Sequence, residues 1–218
     1  MRKLIMLLST AFLSFTCVGQ KVSNYIKEHV TNRYDGKQTN IRSLIDIDGY
    51  YTVKEVYRVC FGPPQNRICR DTTEVNFLFY EDGTFLYNFY DVDADYPGNT
   101  EAYLERISKG KGTDYFYNRF YWGIYRVQGD TIIAQYVFNE PNTMHRDAWE
   151  DKFLIKDRTT IVKLTTEPRN LFRLSNPKKR AVSDRVAKRV VLPATYRPSA
   201  HIPAPNSWLK KEEWVYSK

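Results

Sequence analysis

Apolar and polar residues alternate through the middle of this chain, and short turn sequences separate the alternating runs. The first such runs are 50–59, 73–80 and 84–92. A period of two is typical of strands with one buried face. Glu81-Asp82-Gly83 separates the second run from the third. Asp-Gly between β-rich runs favours a tight hairpin, because both residues tolerate positive φ.

Further alternating runs follow in the same manner. They are 120–127, 131–138, 149–156 and 159–165, with turns at Gln128-Gly129-Asp130 and Asp157-Arg158, and residues 171–174 are a candidate for one more strand. Strands joined in succession by tight turns form a meander, which loses its exposed edges by closing. The sequence therefore predicts an all-β fold, an antiparallel up-and-down barrel of about seven or eight strands.

A long connection, residues 93–118, interrupts the meander. Loops of this length are usually lids, binding loops or disordered segments. We expect a short helix within it, capped by Asn99 and ended by Gly110. Its apolar stripe is Tyr103, Leu104 and Ile107.

The ends of the chain differ from the middle. The predicted parts are a signal peptide (1–19), a polar N-terminal segment (20–48), the barrel (49–175) and a basic, proline-containing C-terminal arm (176–218). Short helices are expected around residues 22–30 and 183–191. The prolines of the arm favour an extended path. The aromatic segment 208–216 is expected to pack back on the barrel.

The N terminus predicts export. Met1-Arg2-Lys3 precedes an apolar run from Leu4 to Phe15, as in a secretory signal. This run is shorter than the roughly 20 residues that span a bilayer. Cleavage after Gly19 and acylation of Cys17, as in a lipoprotein, both stay open. The expected location is the cell envelope, as a periplasmic protein or outer-membrane lipoprotein, or the medium after secretion.

Charge is unevenly distributed. From Pro168 to the C terminus the chain has 12 basic and 3 acidic residues, whereas residues 20–167 have 19 basic and 22 acidic ones. Export argues against nucleic acid as a partner. The basic arm could contact anionic lipid, or it could be a solvated tail.

Cys60 and Cys69 flank a turn-rich segment. In an exported protein this spacing favours a disulfide that closes a short loop. The alternatives are two reduced thiols or a metal pair. No His or second Cys pair lies nearby in the sequence to complete a zinc site.

Three motifs carry a resemblance to a known family. They are Gly49-Tyr50-Tyr51, the hairpin sequence of residues 79–85 and the hairpin sequence of residues 123–132. Over residues 45–166 the chain resembles the bacterial lipocalin-like (calycin-type) domains. Lipocalins carry Gly-x-Trp on their first strand, where this chain has Gly49 and Tyr51. The resemblance implies a cup-shaped barrel and, for many members, a bound apolar small molecule. A shared fold does not specify the ligand.

Alternation selects candidate ligand-binding residues inside the barrel. They are Tyr51, Tyr57, Phe77, Phe79, Tyr87 and Trp122, together with Glu55 and Arg126. A charge inside a barrel needs a partner. Glu55 and Arg126 could therefore pair with each other or orient a ligand, or bulges could bring each to water. The aromatic side chains could line a cavity or fill a solid core.

No catalytic motif is present. His29, His145 and His201 are scattered, and the Asp91–Asp95 run lacks the glycine and glutamate that a calcium loop needs later in its sequence. We therefore predict no enzyme activity, no metal and no cofactor. The predicted function is an exported binding protein for a small apolar or aromatic molecule. The alternative is a filled barrel that serves as an envelope interaction protein, which meets an unknown protein partner or a membrane surface through its basic arm or C-terminal aromatic residues.

Overall fold

The computed structural model describes residues 24–55, 59–61, 68–70, 73–91, 99–137, 148–166 and 189–216. The strands are β1 (Gly49–Glu55), β2 (Val59–Phe61), β3 (Ile68–Arg70), β4 (Thr73–Phe79), β5 (Thr84–Tyr87), β6 (Tyr121–Gln128), β7 (Thr131–Val137), β8 (Ala148–Ile155), β9 (Thr160–Thr166) and β10 (Arg189–Pro198). Residues 1–19, for which a signal peptide is predicted, lie outside the described residues, as do Tyr57 and residues 171–174. Cys17 is among the first of these.

Eight strands close into an antiparallel barrel in the order β1-β10-β9-β8-β7-β6-β5-β4. From β4 to β10, each barrel strand pairs with the next along the chain, and β1 pairs with both β4 and β10. The predicted all-β up-and-down barrel is thus confirmed, with eight strands. Gly83 and Gly129 adopt φ of 85° and 61° in two of the predicted hairpin turns.

The barrel was predicted to end at residue 175, but its last strand, β10, lies further along the chain. Residues 189–198 were assigned to the arm, with residues 189–191 ending a helix. Instead they pair with β9 on one side and with β1 on the other. The misleading residue is Pro193, since prolines are rare in central strands. The register with β1 runs from Pro198 back to Ala194, the residue that follows this proline, and does not include Pro193.

Four short α-helices lie in the described ranges, outside the barrel strands. They are α1 (Asn24–His29), α2 (Ile41–Leu44), α3 (Thr100–Ser108) and α4 (Thr113–Arg119). The prediction for α3 is confirmed: the Asn99 side chain accepts a hydrogen bond from the Glu101 N–H at 3.0 Å, and Gly110 follows with φ of 79°. Helix α4 was not predicted.

Two apolar cores share the barrel wall. The inner core lies inside the barrel and at one of its ends, and consists of Ile41, Ile45, Ile47, Tyr51, Val53, Val75, Phe77, Phe79, Phe85, Tyr87, Tyr125, Ile132, Ala134, Tyr136, Phe153, Ile161 and Ala194. The outer core lies between the outer face of the wall and the helices, and includes Tyr50, Leu78, Tyr80, Leu86, Phe89, Tyr103, Leu104, Ile107, Phe116, Phe120, Trp122 and Ile124.

The C-terminal segment belongs to the outer core, as predicted. Two 3₁₀ helices, Trp208–Lys211 and Glu213–Val215, bury Trp208, Leu209 and Val215. The Tyr34 N–H donates to the Val215 carbonyl at 2.8 Å. The C-terminal segment is therefore held to the N-terminal segment as well as to the barrel.

Residues 39–48 close one end of the barrel. The Thr39 N–H donates to the Glu81 carbonyl at 2.6 Å, and the Asp46 N–H donates to the Arg158 carbonyl at 2.7 Å. The Tyr51 hydroxyl adds a bond to the Arg158 carbonyl at 3.0 Å. We call this the closed end. The long connections leave the barrel at the opposite end.

Candidate functional site

Aromatic rings occupy the barrel between the closed end and its middle. Tyr51, Phe77, Phe79, Phe85 and Phe153 are each at most 2% exposed. The rings of Phe77 and Phe153 lie 5.0 Å apart between centroids, and those of Phe79 and Phe85 lie 4.9 Å apart. Aromatic pairs at these distances are in direct contact. In this half the interior is a packed core.

A buried ionic cluster lies beyond these rings, toward the end opposite the closed end. It consists of Glu55, Tyr87, Tyr136, Asp151 and Lys163, whose side chains point inward from β1, β5, β7, β8 and β9. Each of these residues is at most 7% exposed. Charged groups are rarely buried this deeply unless they are paired.

The Lys163 ammonium is the centre of the cluster. Its Nζ donates to Glu55 Oε1 and lies 3.1 Å from Asp151 Oδ2 and 2.5 Å from the Tyr87 hydroxyl. Strands β9 and β5 face each other across the barrel. The lysine side chain therefore crosses the interior, and charge-assisted bonds hold it there.

Two tyrosines complete the hydrogen bonding of the carboxylates. The Tyr87 hydroxyl donates to Glu55 Oε1 at 2.7 Å, and the Tyr136 hydroxyl donates to Asp151 Oδ2 at 2.9 Å. Their rings stack 4.6 Å apart, and Lys163 Nζ lies 4.6 Å from the Tyr87 ring centroid. The cluster thus combines ion pairs, hydrogen bonds and a cation–π contact in one dry region.

The structure brings five of the predicted site residues together inside the barrel: Tyr51, Glu55, Phe77, Phe79 and Tyr87. Glu55 is buried, as alternation along β1 predicted, but its basic partner is Lys163 and not Arg126.

Trp122 and Arg126 lie on the other face of the wall, so their placement inside the barrel was wrong. Trp122 belongs to the outer core, where its ring stacks on Tyr80 at 5.8 Å, and Arg126 is exposed. Because helices cover the outer face of β6, both faces of this strand carry large apolar residues. Phe89 also joins the outer core, since Asn88 adopts φ of 56° and breaks the alternation after Tyr87.

Sequence reasoning missed Lys163, Asp151 and Tyr136. Asp151 could have been found, because it alternates in phase with Trp149, Phe153 and Ile155. Lys163 gave no such indication. Its neighbours Val162 and Leu164 suggest that their own face is the buried one, yet both are only partly buried, whereas Lys163 is 0% exposed.

Burial changes the pKa of two tyrosines that line the interior near the closed end. It raises the pKa of Tyr51 and of Tyr125 well above the usual value of 10.0. The Tyr125 hydroxyl bonds to Thr39 Oγ1 at 2.7 Å and donates to the Tyr80 carbonyl at 2.6 Å. Both phenols therefore remain neutral and hydrogen-bonded at neutral pH.

Two features lie outside the barrel interior. Cys60 and Cys69 are directly opposite Cα partners in the β2–β3 hairpin. A shallow groove of about 200 Å³ runs over the outer face of β1, β4 and β10, lined by Thr52, Lys54, Glu74, Pro193, Thr195 and Arg197.

Comparisons with known proteins found no relative. No family model matches the chain, no curated protein matches it, and no solved structure matches it. Within the described residues, no group of three or more His, Cys, Asp or Glu side chains is placed to hold a metal ion. None of the helices in the described ranges is long and apolar enough to cross a membrane.

Proposed function

We propose that this protein is an exported, non-enzymatic interaction protein of the cell envelope, with its filled barrel as the scaffold. The observation that carries this proposal is the contact between Phe77 and Phe153, from strands on opposite sides of the barrel. A barrel whose rings meet across its interior has its binding surfaces on the outside. The same proposal includes a relationship of this barrel to the lipocalin-like domains. It also includes acylation of Cys17 as the anchor of a lipoprotein.

The outer face of β10 is the favoured contact surface. Val191 is 61% exposed there, and Pro193, Thr195 and Arg197 continue the same face beside β1. This strand belongs to the basic C-terminal region. Arg197 on this face and Lys54 on β1 are the basic residues of the neighbouring groove, and Glu74 is its acidic residue. The surface therefore combines aliphatic groups with an excess of positive charge, a combination suited to a protein partner with acidic side chains.

Site-specific photo-crosslinking in the producing cells tests this proposal. A photoreactive residue at position 191 or 195 should give discrete adducts with a protein. The matched control is position 111, an exposed lysine between α3 and α4, where the adducts should be absent. Equal labelling at all three positions, or none, would contradict the proposal. If no protein adducts form and the protein floats with phosphatidylglycerol vesicles, the face contacts the membrane surface instead of a protein.

A second candidate function is binding of a small apolar or aromatic molecule. It is favoured by the ionic cluster, since the stacked rings of Tyr87 and Tyr136 lie beside polar groups away from the closed end. Ligand sites usually combine apolar walls with a few placed polar groups. Native mass spectrometry of the purified full chain should then show a bound molecule, and Tyr87→Ala should release it. If the spectrum shows only the mass of the protein without a bound molecule, this candidate function is excluded.

A further inference from the structure

The ionic cluster places a primary amine against two carboxyl groups in a region that water hardly reaches. The side chains of Lys163 and Asp151 are 1% and 0% exposed, and that of Glu55 is 9% exposed. Lys163 Nζ contacts both acids. An amine and a carboxyl group held in contact are the two halves of an amide.

We infer that Lys163 and Asp151 become joined by an intramolecular isopeptide bond between Nζ and Cγ, with Glu55 as the proton carrier. The bond would be a self-catalysed modification of the folded barrel. It would be independent of the function proposed above, because it needs no ligand or partner.

The reaction is a condensation that needs no oxidant or co-reactant. A proton first moves from the Lys163 ammonium to the Asp151 carboxylate, which leaves a neutral amine and a carboxylic acid. The nitrogen lone pair then attacks Cγ to form a tetrahedral intermediate. Glu55 accepts the second nitrogen proton and delivers it to the departing hydroxyl. One C–N bond forms, one C–O bond breaks, and one water molecule leaves.

Burial favours each part of this reaction. The neutral amine and acid lose less by being away from water than the charged pair does. Fixed contact replaces a bimolecular encounter, which is among the largest rate effects that a protein can supply. A site with little access to water also slows the reverse reaction, hydrolysis of the amide.

Each acid accepts a hydrogen bond from one tyrosyl hydroxyl: Asp151 Oδ2 from Tyr136 at 2.9 Å, and Glu55 Oε1 from Tyr87 at 2.7 Å. Burial distinguishes the two acids, since the side chain of Asp151 is 0% exposed and that of Glu55 is 9% exposed. A carboxylate loses more by carrying its charge where it is more deeply buried, so Asp151 is suited to take the first proton and to be attacked. The Tyr136 hydroxyl then stabilises negative charge on the Asp151 oxygen when Cγ becomes tetrahedral. Glu55 Oε1 accepts from Lys163 Nζ and is therefore placed to carry the second proton.

The product would be a covalent tie between neighbouring strands. Lys163 is the Cα partner of Phe153, so Asp151 lies two residues away on β8 and on the same inward face. The new bond would link β8 to β9 inside the barrel and would persist when the wall unfolds.

Tryptic mapping of the reduced, unfolded full chain tests the inference. Trypsin does not cut after an acylated lysine, so residues 147–152 should appear joined to residues 159–169. The mass should be that of the two peptides less one water. Fragmentation should place the link on Asp151. Free peptides 147–152 and 159–163 in full yield would overturn the inference, as would a link to Glu55.

Three variants sharpen the result. Lys163→Arg keeps the positive charge, but a guanidinium group does not condense with a carboxyl group in the folded protein. The peptides 147–152 and 159–163 of this variant should therefore be free. Lys152→Arg, at an exposed position of β8, is the matched control and should retain the link. Glu55→Gln should fold, as checked by circular dichroism, and lose the link; an unchanged yield of the link would overturn the role of Glu55. If this variant does not fold, the wild-type digest alone decides.

Discussion

Phe77 on β4 and Phe153 on β8 are in ring contact at 5.0 Å, although the two strands lie on opposite sides of the barrel. Both side chains are 0% exposed. A hollow cup keeps opposite walls apart, whereas here one side chain from each wall is enough to bridge the interior. The stability of the fold therefore depends strongly on these rings.

Phe153→Ala should lower the free energy of unfolding by about 3–5 kcal/mol, because it removes a fully buried ring and leaves a cavity. Urea denaturation of the full chain measures the loss. Phe77→Ala should cost a similar amount, and the double variant should lose less than the sum, since the two rings share one contact. Strict additivity would show that the rings do not pack as described.

Cys60 and Cys69 should form a disulfide. Directly opposite residues in an antiparallel pair have Cα atoms about 4.5–5.5 Å apart, within the range that a disulfide spans. Mass spectrometry after alkylation without reduction should find both thiols blocked from the reagent. The Cys60→Ser, Cys69→Ser variant should lose about 2 kcal/mol of stability. Quantitative alkylation of protein purified from its native host would exclude the disulfide.

Asn99→Ala should lower the stability by about 1 kcal/mol, because the first turn of α3 loses its side-chain cap. Asn99→Asp keeps an oxygen acceptor and is the matched control. Thermal unfolding compares the two. An alanine variant as stable as the aspartate variant would mean that packing of Tyr103, Leu104 and Ile107 alone holds the helix.

Stability should fall at alkaline pH as the tyrosines of the unfolded chain ionise. Burial raises the pKa of Tyr51 and Tyr125 in the folded protein above 10.0, the ordinary value that applies when the chain is unfolded. Below that value both states keep the proton, and the full stability is present. Above it the unfolded chain releases the proton first, so the free energy of unfolding falls with pH.

Tyr125→Phe should make this alkaline decline shallower, because one fewer proton is released on unfolding. Urea denaturation at several values between about pH 8 and 11 gives the slope. At neutral pH the variant should be less stable by about 1 kcal/mol, as it loses bonds to Thr39 and to the Tyr80 carbonyl.

Most barrel strands and their turns could be predicted from the sequence, β10 excepted, but the inner face of each strand could not always be. Along β1, Glu55 is in phase with Tyr51 and Val53, and it is buried with them. Along β6 the same reasoning failed for Arg126, because Trp122 and Ile124 pack beneath the helices instead of inside the barrel. Alternation shows that two faces differ. It does not show which is the interior when both are covered.

The ionic cluster was the part of the site least accessible to sequence reasoning. Asp151 and Lys163 lie on the two strands of one hairpin, β8 and β9, whereas Glu55 lies on β1, 108 residues before Lys163. The contact with Glu55 depends on barrel closure and on register, so no local pattern contains the whole cluster. The strand that completes the wall, β10, was itself not predicted, because Pro193 argued against a central strand there.

Closure of the barrel by β1 and β10 also constrains the order in which the chain can fold. Gly49 of β1 pairs with Pro198 of β10, which lies 149 residues further along the chain, so residue 198 must be available before the wall is complete. Until then the outer edges of β1 and β9 have no neighbour, and unpaired edges invite association with other chains. Contacts of such long sequence separation also form slowly. A nascent chain therefore keeps its wall open until residue 198 has been made, and any truncation before that residue leaves two strand edges exposed.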